Sequence, residues 1–293
     1  MKKECFLGWV ILVAYLLGTQ EVSLAAKTRL APISEENNKE SLLKKKSSSS
    51  KKLESNIKKK KITGSSQEKL LTTTDRRIKV AKPGEYPWSV HGQLKLKFAP
   101  NSVYVGSGTL IKGRYVLTAA HNLYDRDTQT LVKQVSFCPG KNGKKEPWGS
   151  ATATSILVHP SWISLKDEEK AKDFDIGLIK LSKSFGKEAG YSGRKVLTKK
   201  QLKKAKINVT GYPGEHNSVM YTMEGSVSTI LRNQLSYKID TTPGQSGSGV
   251  WVNNGNQPFC IAIHTNGSGT SNSATRLTQH KYNLVEKWIE ASK

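Results

Sequence analysis

From Ile78 onward the chain is a series of short runs rich in β-branched and aromatic residues, separated by turn-forming residues. Short, regularly spaced runs of this kind are typical of strands joined by tight turns, and they predict a β-sandwich or a β-barrel. We expect strands at 89–96, 102–111, 115–119, 156–159, 176–181, 207–211, 225–230, 235–239, 249–252 and 260–264.

The end of the chain has a different pattern. Tyr282, Leu284, Val285, Trp288 and Ile289 recur at the spacing that places apolar side chains along one side of a helix. The sequence therefore predicts an all-β domain that closes with a C-terminal helix.

Residues 1–25 have the features of a secretory signal peptide. Two lysines precede an apolar run from Cys5 to Leu17, and the small residues Ser23 and Ala25 fit cleavage after Ala25. The alternative is a membrane anchor, but the run is shorter than the roughly 20 residues that a membrane-spanning helix needs. We expect a secreted protein without a transmembrane segment.

Residues 26–77 form a lysine-rich segment with no apolar pattern to bury, which predicts a disordered propeptide. Of the formal net charge of +24, this segment carries +9, from fifteen basic and six acidic side chains, so 78–293 keeps +15. The lysine runs at 44–46, 51–52 and 58–61 either solubilise the segment or contact a polyanion.

Three cysteines occur in the sequence, and Cys5 leaves with the signal peptide. In an oxidising compartment we expect Cys138 and Cys260 to form a disulfide, although two unpaired buried thiols remain the alternative. There is no CxxC pair and no glycine-rich phosphate loop, so the sequence predicts neither a metal nor a cofactor.

One glycine-rich segment, 241–249, contains a candidate nucleophile, Ser246. A serine hydroxyl is a poor nucleophile at neutral pH, so it needs a histidine to take its proton, an acid to orient that histidine, and N–H donors for the oxyanion. Glycines allow the backbone to approach a substrate and to point its N–H groups outward.

A candidate base and a candidate acid each lie at the end of a predicted strand. His121 follows the apolar run that ends at Ala120, and Asp175 directly precedes the apolar run that begins at Ile176. Asp173 is the nearby competitor for the role of the acid.

The order of these residues along the chain separates the known serine-hydrolase scaffolds. No Asp follows Ser246, and no His follows the late glutamates, which excludes the α/β-hydrolase order. The subtilisin order would require Asp75, which lies in the lysine-rich segment. The order that remains is His121, Asp175, Ser246 on a β-rich framework.

These segments resemble the trypsin/chymotrypsin superfamily, and within it the glutamyl endopeptidases of the V8-protease type, over about 78–293. The motifs are Thr-Ala-Ala-His at 118–121, Asp-Ile-Gly-Leu-Ile at 175–179, Val-Thr-Gly-Tyr-Pro-Gly at 209–214, 240–249, and Ile-His at 263–264. The resemblance implies a serine endopeptidase with a chymotrypsin-like double six-stranded β-barrel. It also implies an oxyanion hole made by the N–H groups of Gly244 and Ser246.

The resemblance also bears on maturation. Gln245 replaces the aspartate that pairs with the freed N-terminal amine in trypsins, and the V8-like branch also has an uncharged amide there. In that branch the freed amine helps to recognise the substrate. Arg76 and Arg77 form a dibasic signal, so we expect an activating protease to cut between Arg77 and Ile78, with cuts after Lys79 or Lys82 as variants.

By the same resemblance, His264, Thr241 and the amine of Ile78 form a pocket for a substrate carboxylate, which predicts cleavage after Glu and less readily after Asp. Asp240 supports the alternative of a trypsin-like preference for Arg or Lys, because trypsins carry their selecting acid six residues before the nucleophile. A further alternative is an inactive homologue that binds polyanions.

Overall fold

The structure is a computed structural model that describes residues 14–15, 73–255, 257–267 and 270–293. The proposed cleavage after Ala25 and the lysine runs of the propeptide lie outside the described residues. Two short strands come first: β1 (Ala14–Tyr15) pairs with Ser155 and Ile156, and β2 (Ile78–Lys79) pairs with Tyr221 and Thr222. In the described part of the chain, no helix is long and apolar enough to cross a membrane.

The first barrel is a closed ring of six antiparallel strands in the order β8, β3, β4, β5, β10, β9, with β9 pairing back to β8. The six barrel strands are β3 (His91–Ala99), β4 (Ser102–Lys112), β5 (Tyr115–Thr118), β8 (Gln134–Pro139), β9 (Ala151–Val158) and β10 (Gly177–Leu181). The connections between them contain a hairpin of two short strands, β6 (Tyr124–Asp125) and β7 (Thr130–Leu131), and two short helices, α1 (Pro160–Ser164) and α2 (Glu168–Ala171). Alternate side chains of these strands fill the interior, among them Leu94, Leu110, Val116, Phe137 and Ile179.

The second barrel is built in the same way, in the order β16, β15, β12, β13, β14, β17, and the pairing of β16 with β17 closes it. Its elements are β11 (Gly193–Arg194), α3 (Lys199–Lys204), β12 (Lys206–Gly211), β13 (Tyr221–Ile230), β14 (Gln234–Tyr237), β15 (Gly249–Asn254), β16 (Gln257–Gly267) and β17 (Asn272–Arg276). Val209, Tyr237, Val250 and Ile261 are fully buried in its core. The predicted double barrel is confirmed.

The predicted C-terminal helix is α4 (Gln279–Ala291), whose first turn is capped by the Thr278 hydroxyl. Its apolar side, with Val285 and Trp288, belongs to a core cluster that includes Leu117 of the first barrel and Ile263 of the second. The helix therefore packs against both barrels, and burial of its apolar side chains stabilises their relative position.

The expected disulfide between Cys138 and Cys260 is wrong, because both cysteines are free and buried. Cys138 lies on β8 in the first barrel, whereas Cys260 lies on β16 in the second, so the two side chains belong to separate sheets. Burial raises the pKa of each thiol to about 12. Both cysteines are therefore protonated and chemically unreactive in the folded protein.

Candidate active site

Residues 238–248 connect β14 to β15 and form what we call the nucleophile loop, after the candidate nucleophile Ser246 that it carries. Gly244 and Gly247 have φ angles of +105° and +88°, a backbone conformation that favours glycine. A Cβ atom on Gly247 would lie 2.2 Å from the carbonyl oxygen of Ser107, so the chain there passes directly against the first barrel. Only glycine fits this path, which explains why the loop is rich in it.

Two residues of the first barrel hold the nucleophile loop, and sequence reasoning missed both of them. The Ser107 N–H and the Asn122 side-chain amide each donate to the carbonyl oxygen of Ser246 at 2.9 Å. The Ser107 hydroxyl donates to the carbonyl oxygen of Gly244, also at 2.9 Å. The only sequence signals were the small residues around Ser107 and the position of Asn122 directly after the candidate base.

His121 and Asp175 meet at the ends of two adjacent strands of the first barrel. A 3₁₀ turn at Ala120–Asn122 follows β5 and presents His121, and Asp175 lies just before β10. The Asp175 Oδ1 accepts the backbone N–H of His121 at 2.9 Å, and Oδ2 lies 2.6 Å from the ring Nδ1. Asp175 is fully buried. Its carboxylate therefore fixes the orientation of the imidazole, with Nδ1 toward Asp175 and Nε2 away from it.

Asp173, the competing acid, has a different partner. Its Oδ2 accepts a hydrogen bond from the side-chain amide of Asn233 at 3.1 Å. The carboxylate that contacts His121 is that of Asp175.

His121 and Ser246 line the same cleft, which also includes Gly244. Aromatic and apolar side chains form much of its wall, and charged side chains stand around them. The other lining residues are Leu96, Phe98, Tyr104, Val105, Asn122, Tyr124, Asp125, Arg126, Asp127, Trp162, Glu168, Lys172, Pro243 and Asn266. The cleft thus combines a histidine, a serine and a glycine-rich backbone with apolar surface that can bind a side chain.

The two side chains expected to recognise a substrate carboxylate, those of His264 and Thr241, are fully buried and do not line this cleft. The backbone of His264 bonds to Ser248 and Gly247 at 2.8 Å each, so β16 runs directly along the nucleophile loop. The His264 Nδ1 lies 2.7 Å from the Tyr237 hydroxyl. Thr241 is also fully buried, and its hydroxyl makes no hydrogen bond within the described residues.

Asp240 is engaged by Arg76 in a two-point ion pair. The Arg76 Nε lies 2.8 Å from Oδ2, and Nη2 lies 2.8 Å from Oδ1. The Asp240 side chain is completely buried, while 39% of the Arg76 side chain is exposed. The carboxylate is therefore neutralised by the chain itself.

Ile78 does not reach the cleft that contains Ser246. Its residue surface is 67% exposed, and its backbone pairs with Thr222 as the edge strand β2. Arg77, directly before it, is instead buried, and its guanidinium contacts the nucleophile loop through Thr242 and Gln245. The structure thus places the predicted maturation bond between a buried arginine and an exposed isoleucine.

In the described residues, no group of three or more His, Cys, Asp or Glu side chains is arranged to hold a metal ion.

Two closed six-stranded barrels, with a histidine and a serine lining one cleft and an aspartate buried against the histidine, are typical of the chymotrypsin-like serine endopeptidases. A family model described as Trypsin matches residues 76–289, and the chain belongs to this family.

Two relatives and one solved structure support the same family. A glutamyl endopeptidase of Bacillus licheniformis is 28% identical over 224 residues, covering 73% of this chain and 67% of that protein. A Bacillus subtilis protein named extracellular metalloprotease is 30% identical over 219 residues, covering 73% and 68%. The structure of a Glu endopeptidase in complex with MPD superimposes with a TM-score of 0.66 at 27% identity, covering 74% of this chain and 98% of that one. The predicted resemblance to the V8-like branch is confirmed.

Proposed function

We propose that the protein is a secreted serine endopeptidase in which Ser246 is the nucleophile, His121 the general base and Asp175 the residue that orients the base. The observation that carries this proposal is the pair of contacts from the buried Asp175 to His121, at 2.9 and 2.6 Å, beside the cleft that Ser246 also lines. That geometry leaves the Nε2 of His121 as the atom available to accept a proton from a serine hydroxyl.

In this reaction the Ser246 Oγ attacks the scissile carbonyl carbon, and His121 takes the hydroxyl proton. The N–H groups of Gly244 and Ser246 stabilise the oxyanion. When the intermediate collapses, the C–N bond breaks, His121 gives its proton to the leaving amine, and an acyl-enzyme remains. Water then attacks the acyl group with His121 again acting as the base, which releases the acid and regenerates Ser246.

We further propose that the enzyme cleaves after Glu, and less readily after Asp. Two buried polar groups support this preference: the Thr241 hydroxyl, which has no hydrogen-bond partner among the described residues, and the His264 imidazole. The His264 Nδ1 lies 2.7 Å from the Tyr237 hydroxyl and 3.1 Å from the Ser273 carbonyl oxygen. In the tautomer in which Nδ1 accepts from the Tyr237 hydroxyl, the ring proton lies on Nε2, where it can donate to a substrate carboxylate. Both groups lie at the nucleophile loop.

In an enzyme that keeps Arg76, the Arg/Lys alternative is weakened by the ion pair between Arg76 and Asp240. A cut between Arg77 and Ile78 would instead remove Arg76 and leave Asp240 without this partner. A trypsin-like pocket needs a carboxylate that can pair with the substrate, but both Asp240 oxygens already accept from Arg76 at 2.8 Å. Displacing Arg76 would leave the buried Asp240 carboxylate without its ion-pair partner until a substrate cation replaced it, which is costly.

The preference is tested by kcat/KM on a set of peptides that differ only in the residue before the scissile bond. We expect efficient cleavage after Glu, weaker cleavage after Asp and little after Arg. Efficient cleavage after Arg with none after Glu would refute the acid pocket. His264→Ala should lower cleavage after Glu more than turnover of a small ester, whereas His280→Ala, a change of an exposed histidine at the start of α4, should alter neither.

The catalytic assignment has a separate test, which also distinguishes an active enzyme from an inactive homologue. Ser246→Ala should abolish peptidase activity and labelling by a serine-reactive phosphonate. Full activity in this variant would overturn the assignment. The absence of labelling and activity in the unmodified enzyme would instead favour a binding protein.

A further inference from the structure

The side chain of Arg77, near the start of the folded domain, is buried against the nucleophile loop. The side chain of Arg77 is only 1% exposed. Its Nη1 donates to the Thr242 hydroxyl and to the Gln245 side-chain oxygen, both at 2.6 Å. A buried guanidinium with this many directed bonds is held in one geometry, and it holds its partners in turn.

Two carboxylates compensate the buried charge of Arg77. Asp75 accepts from the Nε at 2.9 Å and from the Nη2 at 2.8 Å, and Glu215 accepts from the Nη2 at 2.6 Å. The hydrogen bonds from Arg77 hold the pKa of Asp75 well below its usual range. Burial alone would raise the pKa of Glu215, but hydrogen bonds from Thr242 and Arg77 keep it below its ordinary value. Both acids are therefore charged at neutral pH.

The contact with Gln245 reaches the catalytic serine through one peptide unit. The Gln245 side-chain oxygen accepts from Arg77 and also from the Thr242 N–H at 3.1 Å, while the Gln245 N–H donates to the Thr242 carbonyl at 3.1 Å. These bonds close the turn at 242–245, which contains Gly244 and leads directly into Ser246. The orientation of the two N–H groups proposed for the oxyanion hole therefore depends on this turn.

The same burial bears on where the precursor is cut. A protease that cleaves after an arginine must bind that side chain in its own pocket, yet Arg77 is enclosed by Asp75, Glu215 and Gln245. A cut between Arg77 and Ile78 would also detach the guanidinium from the chain, so that nothing covalent would keep it at the loop. Ile78 itself lies exposed on an edge strand.

We propose that Arg77 is a positioning residue, an internal cation that fixes the turn before Ser246, and that the mature enzyme therefore begins at or before Asp75. The activating cut then falls in the lysine-rich segment, whose last basic residue before Asp75 is Lys69. Activation by this route removes the segment without creating a new terminal ion pair, because the required cation is already in place. The inference rests on the proposed role of Ser246.

The first test is the N-terminus of the active enzyme produced from the full chain, read by intact mass and N-terminal sequencing. We expect a terminus at or before Asp75. A fully active enzyme that begins with Ile78 would overturn the proposal. This measurement needs no variant, so it stands even if changes at Arg77 prevent folding.

The second test compares Arg77→Ala with Lys79→Ala, a matched change of an exposed cation two residues away. Removing one oxyanion donor typically costs on the order of 100-fold in kcat, so we expect Arg77→Ala to lower kcat by that order with little change in KM. Added ethylguanidinium, which can fill the vacated site, should restore kcat in a saturable manner, while Lys79→Ala should keep the unmodified kcat and not respond.

Two results would overturn the positioning role: unchanged kcat in Arg77→Ala, or a lost kcat that does not respond to ethylguanidinium, as expected of a purely structural arginine. Ser246→Ala separates this failure from failure of the proposed function. If Ser246→Ala is inactive while Arg77→Ala is fully active, the nucleophile is right and the role of Arg77 is wrong.

Discussion

Replacing Asp175 by Asn tests how the proposed base is oriented, because the two side chains have the same shape but different hydrogen-bonding groups. One oxygen of Asp175 accepts the backbone N–H of His121 at 2.9 Å, and the other faces the ring Nδ1 at 2.6 Å. The amide of Asn must place its oxygen toward the backbone N–H. The reverse orientation would leave two buried donors facing each other, at a cost of about 1–3 kcal/mol.

With its oxygen placed in this way, the Asn NH₂ group faces the Nδ1 of His121. The ring must then accept at Nδ1 and carry its proton on Nε2, which is the wrong tautomer for taking a proton from Ser246. The same change in other serine proteases lowers kcat by about 10⁴, which corresponds to about 5.5 kcal/mol of transition-state stabilisation. We expect a loss of this order for Asp175→Asn.

The assay is kcat on the best peptide substrate, with circular dichroism and the Tm measured in parallel to establish that the variant is folded. Asp173→Asn is the matched control, since Asp173 contacts Asn233 rather than His121, and it should stay within about threefold of the unmodified kcat. A folded Asp175→Asn enzyme that retains more than about a tenth of kcat would refute this account of the base.

Three further predictions concern the framework. Gly247→Ala should destabilise the fold by more than the about 1–3 kcal/mol of backbone strain alone, since its Cβ would lie 2.2 Å from a carbonyl oxygen. Gly255→Ala, also at positive φ but with open space around it, should show only the strain; equal Tm losses would contradict this. Iodoacetamide without reductant should label Cys138 and Cys260 only after unfolding, and a peptide pair joined by a disulfide would count against the structure. Burial lowers the pKa of His91 to about 3, so the unfolded chain binds a proton below about pH 6.5 that the folded protein does not. The His91 contribution to the unfolding free energy should therefore be complete above that pH and fall as the pH drops toward 3, by about 1.4 kcal/mol per pH unit. The unfolding free energy is measured by urea denaturation at a series of pH values. His91→Gln should make it depend less steeply on pH, and an unchanged dependence would argue against the assignment.

The sequence was sufficient for the fold class because most strands of both barrels have apolar side chains on their inner faces. The exceptions have physical reasons. Strand β17 has the sequence Asn-Ser-Ala-Thr-Arg, in which Ala274 is the one apolar residue, so no alternation marks it. Strand β8 has the sequence Gln-Val-Ser-Phe-Cys-Pro, in which only Val135 and Phe137 mark the alternation before a proline ends the strand, and it was not predicted.

The proximity of His121 and Asp175 was also predictable, since both lie at strand ends and the order of residues along the chain left one scaffold. Long-range side-chain contacts were not predictable. Arg77 looked like half of a dibasic cleavage signal, because nothing in the sequence shows that Gln245, 168 positions later, receives its guanidinium. The disulfide failed for a similar reason: an even number of cysteines does not reveal which sheet each one occupies.

The two hydrogen bonds that the carbonyl of Ser246 accepts from Ser107 and Asn122 have a consequence for how the halves of this protein depend on each other. Ser246 lies on a loop between two strands of the second barrel, but its backbone is hydrogen-bonded to the first barrel, next to His121. A relative rocking of the barrels would therefore carry serine and histidine together, and their spacing would be preserved. By the same reasoning, neither half expressed alone would hold its own part of the site in working geometry, and co-expressed halves should regain activity only when they associate.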